Sequence, residues 1–131
     1  MGNGAGGPGI SLRILVVDGS LTMREMLRQT LTDAGFEVVL AEDGVDALRQ
    51  LPLVVPDLIL TDLTMPNMDG FGLIHAVRGG DVSPRVPILV LTTQSAVGLK
   101  ERARASGATG WITKPFDEHA LVSTIRRIVA L

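Results

Sequence analysis

The sequence predicts an α/β fold, a doubly wound five-stranded parallel sheet with helices on both faces. Three observations lead there. Hydrophobic residues make up 46% of the 131-residue chain and aromatics only 3%. The core must therefore be built from Val, Leu, Ile and Ala, as in parallel strands buried on both faces. Five short apolar runs alternate with five segments of helical character, and serial βα units imply right-handed crossovers. Groups able to do chemistry recur just past the apolar runs, where open α/β sheets carry their sites.

Residues 1–11 contain Gly2, Gly4, Gly6, Gly7 and Gly9 with no apolar period, and are expected to form a flexible tail before one domain over residues 12–131. Gly2-Asn3-Gly4-Ala5-Gly6-Gly7 satisfies the spacing of a dinucleotide-binding loop, but it precedes the first strand instead of following one, so the context fails. Leu12 to Val17 reads as the first strand. Met23, Met26, Leu27, Thr30, Leu31 and Ala34 then form one helical stripe, which Gly35 ends as a left-handed cap. Glu37 to Ala41 is the second strand, and Val45, Ala47, Leu48 and Leu51 suggest a short helix stopped by Pro52. Leu58 to Thr61 is the third strand, followed by a helix from about Gly70 to Arg78. Val86 to Leu91 is the fourth, with a weaker helix over Val97 to Ser106. Thr109 to Thr113 is the fifth, and Leu121, Val122, Ile125, Ile128 and Val129 give the last helix its apolar face.

Fourteen acidic against twelve basic residues give a net charge of −2, which argues against a broad phosphate-backbone footprint and hence against nucleic acid as a partner. Cysteine is absent, so neither a disulfide framework nor a thiolate metal site is available. No apolar stretch approaches membrane-spanning length and the N-terminus lacks the pattern of a secretory leader. The expectation is a soluble, cytoplasmic domain without a membrane partner.

Four groups fall at or just beyond strand ends: Asp18 after the first, Asp62 after the third, Thr92 after the fourth and Lys114 after the fifth. Singly, a strand-end Asp is as well read as a helix cap. Strand polarity carries all four to one edge, however. There, two acids, a hydroxyl and a lysine suggest a carboxylate nucleophile, a divalent cation held by carboxylates, and groups that bind phosphoryl oxygens.

The pieces around these residues resemble a known family. They are Leu15-Val16-Val17-Asp18 with Thr22-Met23-Arg24, Ala41-Glu42-Asp43-Gly44-Val45-Asp46-Ala47-Leu48, Asp62 with Met65-Pro66-Asn67-Met68-Asp69-Gly70, Val86-Pro87-Ile88-Leu89 leading to Thr92, Gly107-Ala108, and Lys114-Pro115-Phe116. Over Leu12 to Leu131 the chain is similar to the receiver domains of two-component response regulators, of the single-domain CheY-like kind found in chemotaxis. That resemblance implies a flavodoxin-like sheet in the order 2-1-3-4-5. It implies that Asp62 takes a phosphoryl group from a histidine kinase or phosphotransfer protein, that Lys114 binds the phosphoryl oxygens, and that the Thr92 hydroxyl closes on them after transfer. Trp111 stands where the family places an aromatic switch residue, and Pro115 is expected to be cis. Mg²⁺ would be held by Asp18, Asp62 and the backbone carbonyl of Thr64. The resemblance also implies that Thr64 and Gln94 occupy positions that influence water access to the acyl phosphate, which makes them candidates for tuning its rate of loss. Output would be a change in the binding surface around the fourth and fifth helices, presented to a downstream protein. No output domain follows before Leu131, so the expected outlets are protein binding, a phosphate sink, or a role within a longer parent.

One departure stands out. Receiver domains carry an acidic pair after the first strand, and here the pair is Asp18-Gly19. Losing the second carboxylate should weaken the cation site, although a glycine is also an easy turn residue there, with Ser20 as helix cap. Two alternatives follow from the same residues. One is a phosphate-independent pseudo-receiver with a degraded metal site. The other is a hydrolase of the haloacid dehalogenase type, which lacks its second Asp because Thr64 stands there. Thr93 belongs to the opposite strand face from Thr92, and His75 and His119 are separated, solvated helix residues that make no metal site.

Overall fold

The structure, a computed structural model, describes residues 11–93 and 97–130. Gln94 and nearly all of the tail, residues 1–10, lie outside the described residues. Five strands and five helices alternate: β1 (Arg13–Val17), α1 (Leu21–Asp33), β2 (Glu37–Ala41), α2 (Gly44–Val54), β3 (Leu58–Thr61), α3 (Gly70–Arg78), β4 (Ile88–Thr92), α4 (Val97–Ser106), β5 (Gly110–Thr113) and α5 (Glu118–Val129). All strand pairs are parallel, in the order β2-β1-β3-β4-β5. This is the expected 2-1-3-4-5 sheet.

The three central strands explain the unbroken apolar runs. β3 and β4 are buried at every position, and β1 at every position but Arg13, so alternation cannot appear in their sequence. Alternate residues feed two cores. Leu15, Val17, Ile59 and Val90 meet Ala47 and Leu51 of α2, Phe71, Ile74 and Val77 of α3, and Ala103 of α4. Ile14, Val16, Leu60, Leu89 and Leu91 meet Leu27 and Leu31 of α1 and Leu121 and Ile125 of α5. Each such Leu, Ile or Val contributes about 1.5–3 kcal/mol by leaving water.

Local chemistry sets the ends. Ser20 caps α1 by accepting the Met23 N–H at 3.2 Å, and Gly35, at φ +95°, takes the left-handed position after it, as the sequence suggested. Two expectations are corrected. Pro52 does not stop α2; the helix carries it in its last turn and ends only at Val55, which adopts a left-handed conformation. Pro52 has no N–H for the carbonyl four residues back and its ring crowds that carbonyl, yet only two helical residues follow it, so little helix is left for it to disrupt. The fourth strand begins at Ile88 rather than Val86, because Pro87 has no N–H to give the ladder while Val86 bonds back to Ser83. The strand then extends through Thr92, paired opposite Thr113. The Lys114–Pro115 bond is cis.

Gly70 begins α3 where that helix passes closest to the end of β3. Its N–H bonds the Leu63 carbonyl at 2.8 Å, and a Cβ there would strike the Asp62 carbonyl oxygen and lie 2.9 Å from Leu63 Cα. Gly98, in α4, would carry a Cβ into open space. Gly70→Ala is therefore expected to destabilise the fold by about 1–3 kcal/mol, while Gly98→Ala should stabilise it by up to about 1 kcal/mol. Urea unfolding of the two variants beside wild type checks both signs.

Candidate functional site

Three side chains meet at the carboxyl edge of the sheet because the ladder runs one residue past each strand. Asp18, after β1, donates its N–H to the Ala41 carbonyl at 3.1 Å; Asp62, after β3, donates to the Val17 carbonyl at 2.9 Å; Lys114, after β5, donates to the Thr92 carbonyl at 2.7 Å. With Val17 opposite Thr61, Asp18 and Asp62 stand abreast. By alternation all three continue the sheet face packed on α1 and α5.

The side chains then converge. Lys114 Nζ donates to Asp18 Oδ2 at 3.0 Å and to Asp62 Oδ2 at 3.3 Å. The ammonium and the Asp18 carboxylate are nearly enclosed, with side-chain exposures of 9% and 4%, whereas Asp62 keeps 15%. The outer oxygens are oriented by backbone: Asp18 Oδ1 accepts from the Ser20 N–H at 2.9 Å and Asp62 Oδ1 from the Leu63 N–H at 2.7 Å. Asp62 is thus the carboxylate that solvent reaches, held in place but not sealed. Two acids share one lysine, a balance that favours an added cation. Arg24, which donates to the Asp18 carbonyl at 2.7 Å, works against it by bringing a second positive charge close.

The other sequence candidates take separate places. Thr92 is the last residue of β4 and is buried. By alternation it lies on the sheet face packed on α2, α3 and α4, the same face as Trp111, a half-buried residue of β5 that packs against that core. Thr93 is exposed. The Trp111 indole donates to Thr113 Oγ1 at 3.3 Å and borders a cavity of about 150 Å³ between α4 and β5, lined also by Ala103, Arg104 and Ala108. Thr64 is exposed beside a groove of about 280 Å³ that includes Phe71 and Arg102, the Arg102 guanidinium lying 3.9 Å from the Phe71 ring centre. His75 and His119 are exposed on α3 and α5, and the His75 Nε2 is 3.2 Å from Ser106 Oγ.

Sequence reading gave no role to Asp43, a second buried acid at this edge. Its carboxyl is held below the usual carboxylate range by the Asp46 N–H and then by the Asn67 amide. The only signal was its place in the Ala41-Glu42-Asp43-Gly44 motif.

The donor set fits Mg²⁺ only in part. Among the described residues no group of three or more His, Cys, Asp or Glu is placed to hold a metal. Two carboxylates converge, and Mg²⁺ sites supply one or two carboxylates and keep several waters. Gly19 is the expected missing donor, and the turn does not require a glycine there: its φ is not positive, and a Cβ would meet only Pro66 Cδ at 3.6 Å, an ordinary contact. Gly19→Asp should therefore fold normally and lower the Mg²⁺ concentration for half-saturation by at least about tenfold. A unit charge about 4 Å from a cation exceeds the 1.4 kcal/mol this requires even at an effective dielectric of about 20. A calorimetric midpoint that does not move would place the ligands elsewhere.

Comparison with known proteins agrees with this architecture. Residues 14–126 match the family model for the response regulator receiver domain. The response regulator MprA of Mycobacterium tuberculosis is 38% identical over 121 residues, covering 92% of this chain and 51% of MprA. The chain thus spans about half the length of the curated relatives it matches. Among solved structures, the chemotaxis protein CheY4 of Vibrio cholerae superposes with a TM-score of 0.86 at 40% identity, covering 91% of this chain and 99% of CheY4. The signal receiver domain of a histidine kinase from Syntrophus aciditrophicus gives 0.84 at 33% identity, covering 92% of this chain and 91% of that one. Fold, matched span and relatives set aside the haloacid dehalogenase reading: this chain belongs to the response regulator receiver domain family, the phosphorylation-linked switches of two-component signalling.

Proposed function

We propose that this receiver is switched by phosphoryl transfer to Asp62. The observation that carries the reading is the Lys114 ammonium shared between Asp18 and Asp62 at the one edge where Asp62 stays open to solvent. A carboxylate is a weak nucleophile, so the site must supply position and charge neutralisation. An Asp62 oxygen attacks phosphorus, the P–N bond of a phosphohistidine on a kinase or phosphotransfer protein breaks, and the imidazole leaves with the electron pair and takes up a proton from water. Lys114 meets the negative charge carried in with the phosphoryl group. Backbone bonds through Ser20 and Leu63 hold both carboxylates while this happens. Mg²⁺, when bound by Asp18, Asp62 and the Thr64 carbonyl, would supply further neutralisation of the phosphoryl oxygens. The same residues accept phosphate from a small acyl phosphate and later lose it to water, with Thr64 and Gln94 as tuning positions.

Intact-mass analysis after incubation with acetyl phosphate and Mg²⁺ is expected to show a single phosphoryl adduct that disappears in Asp62→Asn. An adduct persisting in that variant would move the acceptor elsewhere. No adduct from any donor would instead favour the second reading, a phosphate-independent interaction module, for which Gly19 is the specific motive.

Readout runs through Thr92 and Trp111 to a protein bound on the surface formed by α4, β5 and α5, in the cytoplasm. New acceptor oxygens on Asp62 draw the Thr92 hydroxyl inward, and the cavity between α4 and β5 gives the half-buried ring somewhere to go. A ligand shifts such an equilibrium only through contacts that differ between the two states. Beryllium fluoride with Mg²⁺, standing in for the phosphoryl group, should change the emission of Trp111, the only tryptophan. Thr92→Ala should remove most of the change while still binding the mimic. An undiminished signal in that variant would break the proposed coupling.

A further inference from the structure

Two loops of the carboxyl edge meet at Asp43. Its carboxyl group divides its oxygens between them: Oδ1 caps α2 by accepting the Asp46 N–H at 2.8 Å, and Oδ2 accepts the Asn67 side-chain amide at 2.7 Å. Asn67 sits at φ +67°, the left-handed region that asparagine tolerates better than most residues. Backbone contact tightens the junction. The Gly44 N–H bonds the Met68 carbonyl at 3.2 Å, and Met68 fills the space a side chain on Gly44 would need, its Cγ 2.7 Å from where a Cβ would stand. The segment from Thr64 to Met68 is therefore pinned at both ends, by the Asp62 N–H on Val17 before it and by Asp43 and Gly44 after it.

Capping alone does not explain this arrangement. One oxygen is enough for a cap, yet the second oxygen of this residue, itself 5% exposed, is committed to Asn67, 24 positions away, in a part-buried bond assisted by charge. We propose that Asp43 is a positioning residue for the cation site, holding through Asn67 the loop that presents the Thr64 carbonyl beside Asp62. The inference rests on the functional reading above and assigns Asp43 no contact with the cation. With Gly19 supplying no carboxylate, the backbone oxygen of this loop is one of few donors left, so its placement weighs more here than where a second acid is present.

The test uses the whole chain and Mg²⁺ alone as the probe. Asn67→Gly keeps the left-handed backbone and removes the amide; Asp43→Ser keeps a capping oxygen and loses the reach to Asn67. Groups that orient a metal ligand without touching the metal are worth about 10- to 100-fold in affinity. Each variant is expected to bind Mg²⁺ about tenfold more weakly by calorimetry. Amides between Thr64 and Met68 should exchange faster with deuterium, those of α2 should not, and the double variant should be no worse than either single one. Acetyl-phosphate labelling should return to the wild-type rate at saturating Mg²⁺. Wild-type affinity in Asn67→Gly, additive losses in the double variant, or no Mg²⁺ binding by the wild-type chain overturns the proposal. Should Asp43→Ser not fold, Asn67→Gly decides alone. Failure of the phospho-acceptor reading would look different: no adduct on wild-type Asp62, with the Mg²⁺ and exchange results as stated.

Discussion

The site depends on a backbone constraint before it depends on any charge. Parallel pairing fixes Val17 opposite Thr61 and Thr92 opposite Thr113, and the next residue after β1, β3 and β5 donates its N–H to a neighbouring strand's last carbonyl. Only then can Lys114, in the loop that follows the last strand in sequence, reach two carboxylates 96 and 52 positions before it. A slip of one residue in any of these strands would turn its functional side chain to the opposite face. Every position of β3 and β4 is buried, so such a slip there would also displace side chains packed in both cores.

Most of this was legible in the sequence for a physical reason. Five apolar runs of strand length, four of them leading into a chemically capable residue, carry both topology and site placement once parallel order is assumed. Helix stripes showed less well at the surface: Met26 belongs to the apolar stripe of α1 yet remains 38% exposed. The misplaced boundaries were those set by backbone bookkeeping that side-chain pattern does not report. Pro87 shortened β4 by withholding an N–H, and Pro52 failed to end α2 because its missing bond lay in the final turn.

Long-range polar contacts were the least legible. Asp43 read as one member of a motif, and nothing local tied it to Asn67. Arg78 likewise showed only as a basic residue at a helix end. In the fold its guanidinium donates to the carbonyls of Gly107, Pro84 and Val86 at 2.6 to 3.0 Å, joining the loops that lead into β4 and β5. Such bonds join positions that only the finished topology brings together, so composition and periodicity cannot announce them.

Gly19 separates what the fold needs from what the chemistry needs. Where the backbone demands glycine, the structure says so: at Gly70 an added carbon would collide with the Asp62 carbonyl, and Gly35 and Gly107 hold positive φ. Gly19 has neither constraint. Its cost therefore falls on electrostatics, not on the fold. Two carboxylates and one ammonium, with Arg24 close by, pull less on a divalent cation than three carboxylates would, and the same arrangement repels an incoming phosphoryl group less. Under the proposed transfer, then, the residues that lower the affinity for a cation at this edge also lower the need for one, because the positive charge that Asp62 faces is already supplied by Lys114.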